Sequence, residues 1–138
     1  NVFGCVKNAK MILNDVGQII HDSWLWLEKQ YEYVNLDEFI VMPDHIHGIV
    51  IIGDTHNGNI QGASRGAPTV RNPLGQLIGA FKTVSTKQIN IIHKTPGTRL
   101  WQRNYYEHVI RNEHDLNRIR EYIINNPAKW EEDEYYSA

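Results

Sequence analysis

The sequence predicts an α+β fold in which an antiparallel sheet is covered by helices. Three observations carry this expectation: an apolar stripe of helical period over residues 10–29, two strand-like runs separated only by Pro43 and Asp44, and two further helical stripes after residue 72. A chain of 138 residues is long enough for one well-packed core and short for two, so one domain with one active site is expected.

The elements follow in order. Ile12, Val16, Ile19, Ile20, Trp24 and Leu27 recur at three- and four-residue steps, which predicts a first amphipathic helix over about residues 10–29. Residues 33–42 and 45–52 are rich in β-branched and aromatic side chains, and the two-residue gap between them predicts a tight antiparallel hairpin. Residues 53–71 abound in Gly, Asn, Thr and Ser without periodicity and predict a flexible loop. Asn72 followed by Pro73 is a helix-start signal, and Leu74, Leu77, Ile78, Phe81 and Val84 supply the buried face of a second helix to about Asn90. Residues 105–110 (YYEHVI) predict a last strand. Asn112 with Asp115 three positions later resembles a capping box for a third helix, expected to end near Pro127 before an acidic tail at 131–138. The order helix, strand, strand, helix, strand, helix lacks only an initial strand to be the split β-α-β-β-α-β, or ferredoxin-like, arrangement. Only NVFG stands at the head of the chain and the first residue is not Met, so that first strand is expected to be truncated or missing.

Composition narrows the function classes. Hydrophobic residues make up 41% and charged residues 22%, ordinary for a globular protein. No apolar run approaches the roughly 20 residues of a membrane helix. One cysteine, Cys5, forms no internal disulfide, and the N-terminal residues lack signal-peptide order, so a reducing cytoplasm is expected. The net charge of -2 hides a segregation: residues 61–120 hold 10 Lys or Arg against 3 Asp or Glu, while the flanking blocks are acidic. A local basic block of this kind suits a nucleic-acid phosphate backbone and equally suits solvated helix faces.

Two short patterns carry chemistry. In PDHIHG, His45 and His47 lie two apart on a predicted strand and project from the same face, which makes them candidates for a two-point metal clamp or simply a partly exposed pair. On the third helix Tyr122 and Asn126 stand four apart on one face beside the stripe of Leu116, Ile119 and Ile123. A hydroxyl and an amide are thereby displayed together, and packing with a wet hydroxyl would place them there as well.

The combination of PDHIHG, WQRNYYEHVIRN and EYIINNP resembles the HUH single-tyrosine transposases, most closely the REP-associated tyrosine transposases, over about residues 11–130. The resemblance implies a ferredoxin-like catalytic domain in which His45 and His47 bind a divalent metal (Mg²⁺ or Mn²⁺) and Tyr122 attacks DNA. It implies that Asn126, one turn after the tyrosine, completes the metal site. The implied substrate is single-stranded DNA with a hairpin, cleaved and rejoined through a 5′-phosphotyrosine intermediate in transposition or recombination, by a monomer or a homodimer near the nucleoid. Within the basic block, Lys82, Lys87, Arg99 and Arg103 are candidates to meet phosphates, with Trp101, Tyr105 and Tyr106 available to stack bases or to fill the core. His108 and Arg111 match the family pattern in a DNA-contacting or site-ordering place, with core packing open for His108. Two rivals stay open: a metal-dependent phosphoesterase using activated water, in which Tyr122 only positions substrate, and a non-catalytic RNA-binding module.

Overall fold

The computed structural model describes residues 2–53, 73–101 and 105–137, without the side chains of 133–137. It is α+β and compatible with the ferredoxin-like layout, with the order β1 (Gly4–Lys7), β2 (Lys10–Leu13), α1 (Asp15–Gln30), β3 (Val34–Val41), β4 (Ile46–Ile52), α2 (Pro73–His93) and α3 (Glu113–Ser137). The strands pair in two two-stranded sheets, β1 with β2 and β3 with β4. The chain groups into two compact units: Asn1–Gln18, Glu38–Ile49 and Gln102–Ala138 form one, Ile19–Asp37 and Val50–Trp101 the other. The loop expected over residues 53–71 lies outside the described residues from position 54 onward. No helix of the described residues is long and apolar enough to cross a membrane.

In the first unit the start of the chain corrects the sequence reading. An initial strand is present, and residues 10–13, expected in the first helix, form its partner in the register Gly4↔Leu13 to Lys7↔Lys10. The two-residue turn places Asn8 and Ala9 at φ 53° and 62°. Such turns favour Asn-Gly, and an alanine there gives no sequence signal. Ile12 therefore belongs to β2 and is 49% exposed. Helix α1 begins one turn later because Asn14 caps it: its Oδ1 accepts the Gly17 N–H at 2.8 Å. Gly17 is required at this junction, since a Cβ there would stand 2.0 Å from the Phe3 carbonyl oxygen. That carbonyl accepts the Asn14 N–H, while the Phe3 N–H donates to Pro43 at 2.9 Å and ties the N-terminal segment to the β3–β4 turn.

Helix α3 packs on the β1–β2 hairpin. Its N-terminus follows the expected cap, with Asn112 Oδ1 accepting the Asp115 N–H at 2.7 Å. Its end does not: the helix runs through Pro127 to Ser137. Proline cannot donate to the carbonyl four residues back, so the continuation depends on contacts made beyond it. One of them is Glu131, whose Oε1 accepts the Ala9 N–H at 2.9 Å. Residues 105–110 form no strand. Tyr106 and Val109 are 94% and 62% exposed, so no buried face drives their pairing.

The second unit holds the larger aromatic core. Ile20, Trp24 and Leu27 of α1 are buried, as are Leu77, Phe81, Ser85 and Ile89 at four-residue steps on α2. Phe81 meets Trp24 edge-on at 5.1 Å and Trp101 at 5.3 Å. Trp101 also donates its indole N–H to Ser85 Oγ at 3.0 Å, so of its two expected uses, core packing is the one observed. Phe81→Ala removes the ring on which both tryptophans rest. We expect a loss of about 3–5 kcal/mol in denaturant unfolding, and a loss below about 1 kcal/mol would contradict this view of the core.

Candidate active site

The two histidines are presented by the tip of the β3–β4 hairpin. The Met42 N–H donates to the His45 carbonyl at 2.7 Å, closing a two-residue turn of Pro43 and Asp44. Met42 and Pro43 are fully buried, so the turn is anchored from below. His45 stands just before β4 and His47 is its second residue, and the strand alternation sends both rings to one side. The rings meet edge-on with centroids 4.6 Å apart, and their Nε2 atoms are 3.0 Å apart. Desolvation, with the neighbouring His45 as the smaller cause, holds the His47 imidazole below its ordinary pKa and so favours the neutral, metal-binding form. On the far edge of His45, Nδ1 lies 2.6 Å from Asp44 Oδ1.

Helix α3 covers this pair. The Tyr122 ring lies 5.4 Å from the His47 ring, and the Trp130 ring lies 5.8 Å from that of His45. Asn126 is halfway between them in sequence, at four-residue steps from both and thus on the same helix face, and it is buried at 8% exposure. Tyr122 is 50% exposed, so its ring rests on His47 while part of it stays open to solvent. The structure thus brings His45, His47 and Tyr122 together and places Asn126 on the face that meets them. The sequence reading missed Asp44 and Trp130. Trp130 continues the four-residue series from Tyr122, a signal hidden by ending the helix at Pro127.

The comparison with known proteins relates the whole site-bearing chain to one bacterial protein. An uncharacterized protein of Haemophilus influenzae (strain ATCC 51907 / DSM 11121 / KW20 / Rd) is 36% identical over 141 residues, covering 98% of this chain and 77% of that protein. The chain belongs to the family of that protein. No family model matches it, and no solved structure matches it.

For this family member, a metal fit can be tested on the histidine pair. Two bonds of about 2.1 Å meeting at about 90° place their nitrogens about 3.0 Å apart, whereas a tetrahedral angle opens that distance to about 3.4 Å. The observed 3.0 Å suits adjacent positions of an octahedral ion, and equally suits a shared proton. No group of three or more His, Cys, Asp or Glu suited to a metal occurs among the described residues. A pair of imidazoles would leave the remaining coordination positions of a divalent ion to water and substrate.

The other candidate residues are placed as follows. His108 Nε2 contacts Asp115 at 2.8 Å, and Arg118 donates to the same carboxylate at 2.5 Å. His108 therefore braces the first turn of α3, and Arg111, exposed, precedes the cap. Lys82 is half-buried on α2, with Lys87 exposed on the same helix and Arg99 exposed beyond it, all in the second unit. Arg103 lies outside the described residues. Tyr105 and Tyr106 are 40% and 94% exposed.

The hydrogen bond from His108, and next that from Arg118, hold the Asp115 carboxyl below its ordinary range. A depressed folded pKa means that the stabilisation is complete above the unfolded value, near 3.8, and is lost as pH falls through the lower folded value. Asp115→Asn should flatten the decline of Tm with acid below about pH 4. An unchanged slope would show that this cluster is not coupled to folding.

Proposed function

We propose that this chain cleaves and rejoins single-stranded DNA by a metal-assisted transesterification with Tyr122 as nucleophile, in the manner of the HUH single-tyrosine transposases. One observation carries the reading: the Tyr122 ring lies 5.4 Å from the ring of His47, the histidine whose Nε2 meets that of His45 at 3.0 Å. In this reading His45, His47 and Asn126 would hold a Mg²⁺ or Mn²⁺ ion. When bound, the ion supplies charge neutralisation at the scissile phosphate and fixes its orientation.

The remaining steps belong to the chain's own residues and the DNA. The Tyr122 oxygen attacks phosphorus in line, the bond from phosphorus to the 3′ oxygen breaks, and the leaving oxygen takes up a proton as a free 3′-hydroxyl. A phenol is protonated at neutral pH, so its proton passes to solvent or to a nearby base during the attack. The 5′-phosphotyrosine has the same number of phosphoester bonds as the substrate. A second 3′-hydroxyl can therefore reverse the step and join a new strand without a nucleotide cofactor. The anchored hairpin and the helix face supply the positioning on which in-line attack depends. The basic block, with Lys82, Lys87 and Arg99 among its described members, supports a phosphate backbone as partner.

The reading is tested by incubating the full chain with end-labelled single-stranded hairpin DNA and Mn²⁺, then separating products under denaturing conditions. A labelled band that migrates with the protein, and is lost with a chelator, is expected. Cut DNA with no such band would assign the chemistry to activated water instead.

A further inference from the structure

We propose that Asp44 is a positioning residue that holds the Nδ1 proton of His45 on its carboxylate, so that the ring presents Nε2 toward His47 as its lone-pair nitrogen. The proposal rests on the metal-clamp part of the proposed function and not on the nucleophile.

The hydrogens follow from the contacts. An ionised carboxylate only accepts hydrogen bonds, so the hydrogen in the 2.6 Å contact between Asp44 Oδ1 and His45 Nδ1 belongs to the ring. In the neutral ring that is the single N–H, so the lone pair lies on Nε2. This Nε2 is the nitrogen that faces His47, 3.0 Å from its Nε2, and it is the one a cation between the two rings would take.

Asp44 is well placed for this task. Its backbone sits in the turn closed by Met42 and His45 and tied through Pro43 to Phe3, while its side chain is 58% exposed. Replacing the side chain leaves the buried anchors of the turn untouched. Carboxylates on the outer nitrogen of a ligating histidine fix its orientation and raise its basicity, and their loss typically lowers metal affinity about 10–100-fold.

The test uses the full chain labelled with ¹⁵N, at about pH 8 where imidazoles are neutral, and imidazole proton-nitrogen correlation spectra assigned with His45→Gln and His47→Gln. His45 should be protonated at Nδ1 and carry its lone pair at Nε2. Asp44→Ala should abolish the His45 preference and weaken Mn²⁺ binding in calorimetry about 10–100-fold. Asp44→Asn, whose amide oxygen still accepts, should keep the tautomer and lose less affinity. A wild-type His45 protonated at Nε2, or an Asp44→Ala protein with unchanged tautomer and affinity, would overturn the proposal. If the wild type shows the expected tautomer and takes up no Mn²⁺, the tautomer assignment stands and the metal reading falls.

Discussion

Tyr122→Phe should reduce cleavage and adduct formation to the assay background while leaving hairpin DNA binding intact. The substitution removes one oxygen and keeps the ring, so the packing of residue 122 against His47 at 5.4 Å is preserved. The side chain is 50% exposed, and a change of this kind at a half-open position alters stability by no more than about 0.5 kcal/mol. Loss of activity in a folded protein would then be a loss of chemistry. Phenylalanine offers no atom to attack phosphorus, and a water molecule is not held on the same in-line path. Retained cleavage at a comparable rate would move the nucleophile to water or to another tyrosine, of which Tyr106, 94% exposed, is the most accessible among the described residues.

His47→Ala should also abolish cleavage, through the clamp instead of the nucleophile. One of two converging imidazole nitrogens is removed, so the loss of Mn²⁺ affinity should exceed the roughly 10–100-fold typical of losing an outer partner of a ligand. The phenol of Tyr122 remains in this variant, so the two substitutions separate by their binding profiles. Tyr122→Phe keeps the metal and loses the adduct; His47→Ala loses both. Calorimetric titration with Mn²⁺ distinguishes them, and an unchanged affinity in His47→Ala would remove the histidine pair from the metal site.

Much of this arrangement is legible in the sequence because it rests on strong, redundant signals. The apolar runs on either side of Pro43 and Asp44 leave little choice but a tight hairpin, and with it the shared face of His45 and His47. Asn112 and Asp115 announce the start of α3, and the four-residue spacing of Tyr122 and Asn126 announces their common face. The α2 stripe is likewise explicit at Leu77 and Phe81.

The missed features share a physical character: tertiary contacts override the local signal. Ile12 keeps step with Val16 and Ile19, so the helical period runs on through Asn14 and conceals both the cap and the β1–β2 turn. The turn itself uses Ala9 at positive φ, where a sequence reader looks for glycine. Pro127 is a helix-stop signal, yet α3 continues, with Trp130 packed against His45 and Glu131 bound to the Ala9 N–H beyond it. The run YYEHVI has strand composition without a buried face, and composition alone does not make a strand. Asp44 reads as a turn residue and is one; only the geometry shows its carboxylate on His45.

The most direct test of the account is peptide mapping of the protein-DNA adduct after protease and nuclease digestion. The prediction is a single modified peptide carrying a nucleotide 5′-phosphate on Tyr122, with a free 3′-hydroxyl on the released DNA strand. A nucleotide on a different residue, a linkage through a 3′-phosphate, or cleaved DNA with no modified peptide would contradict it.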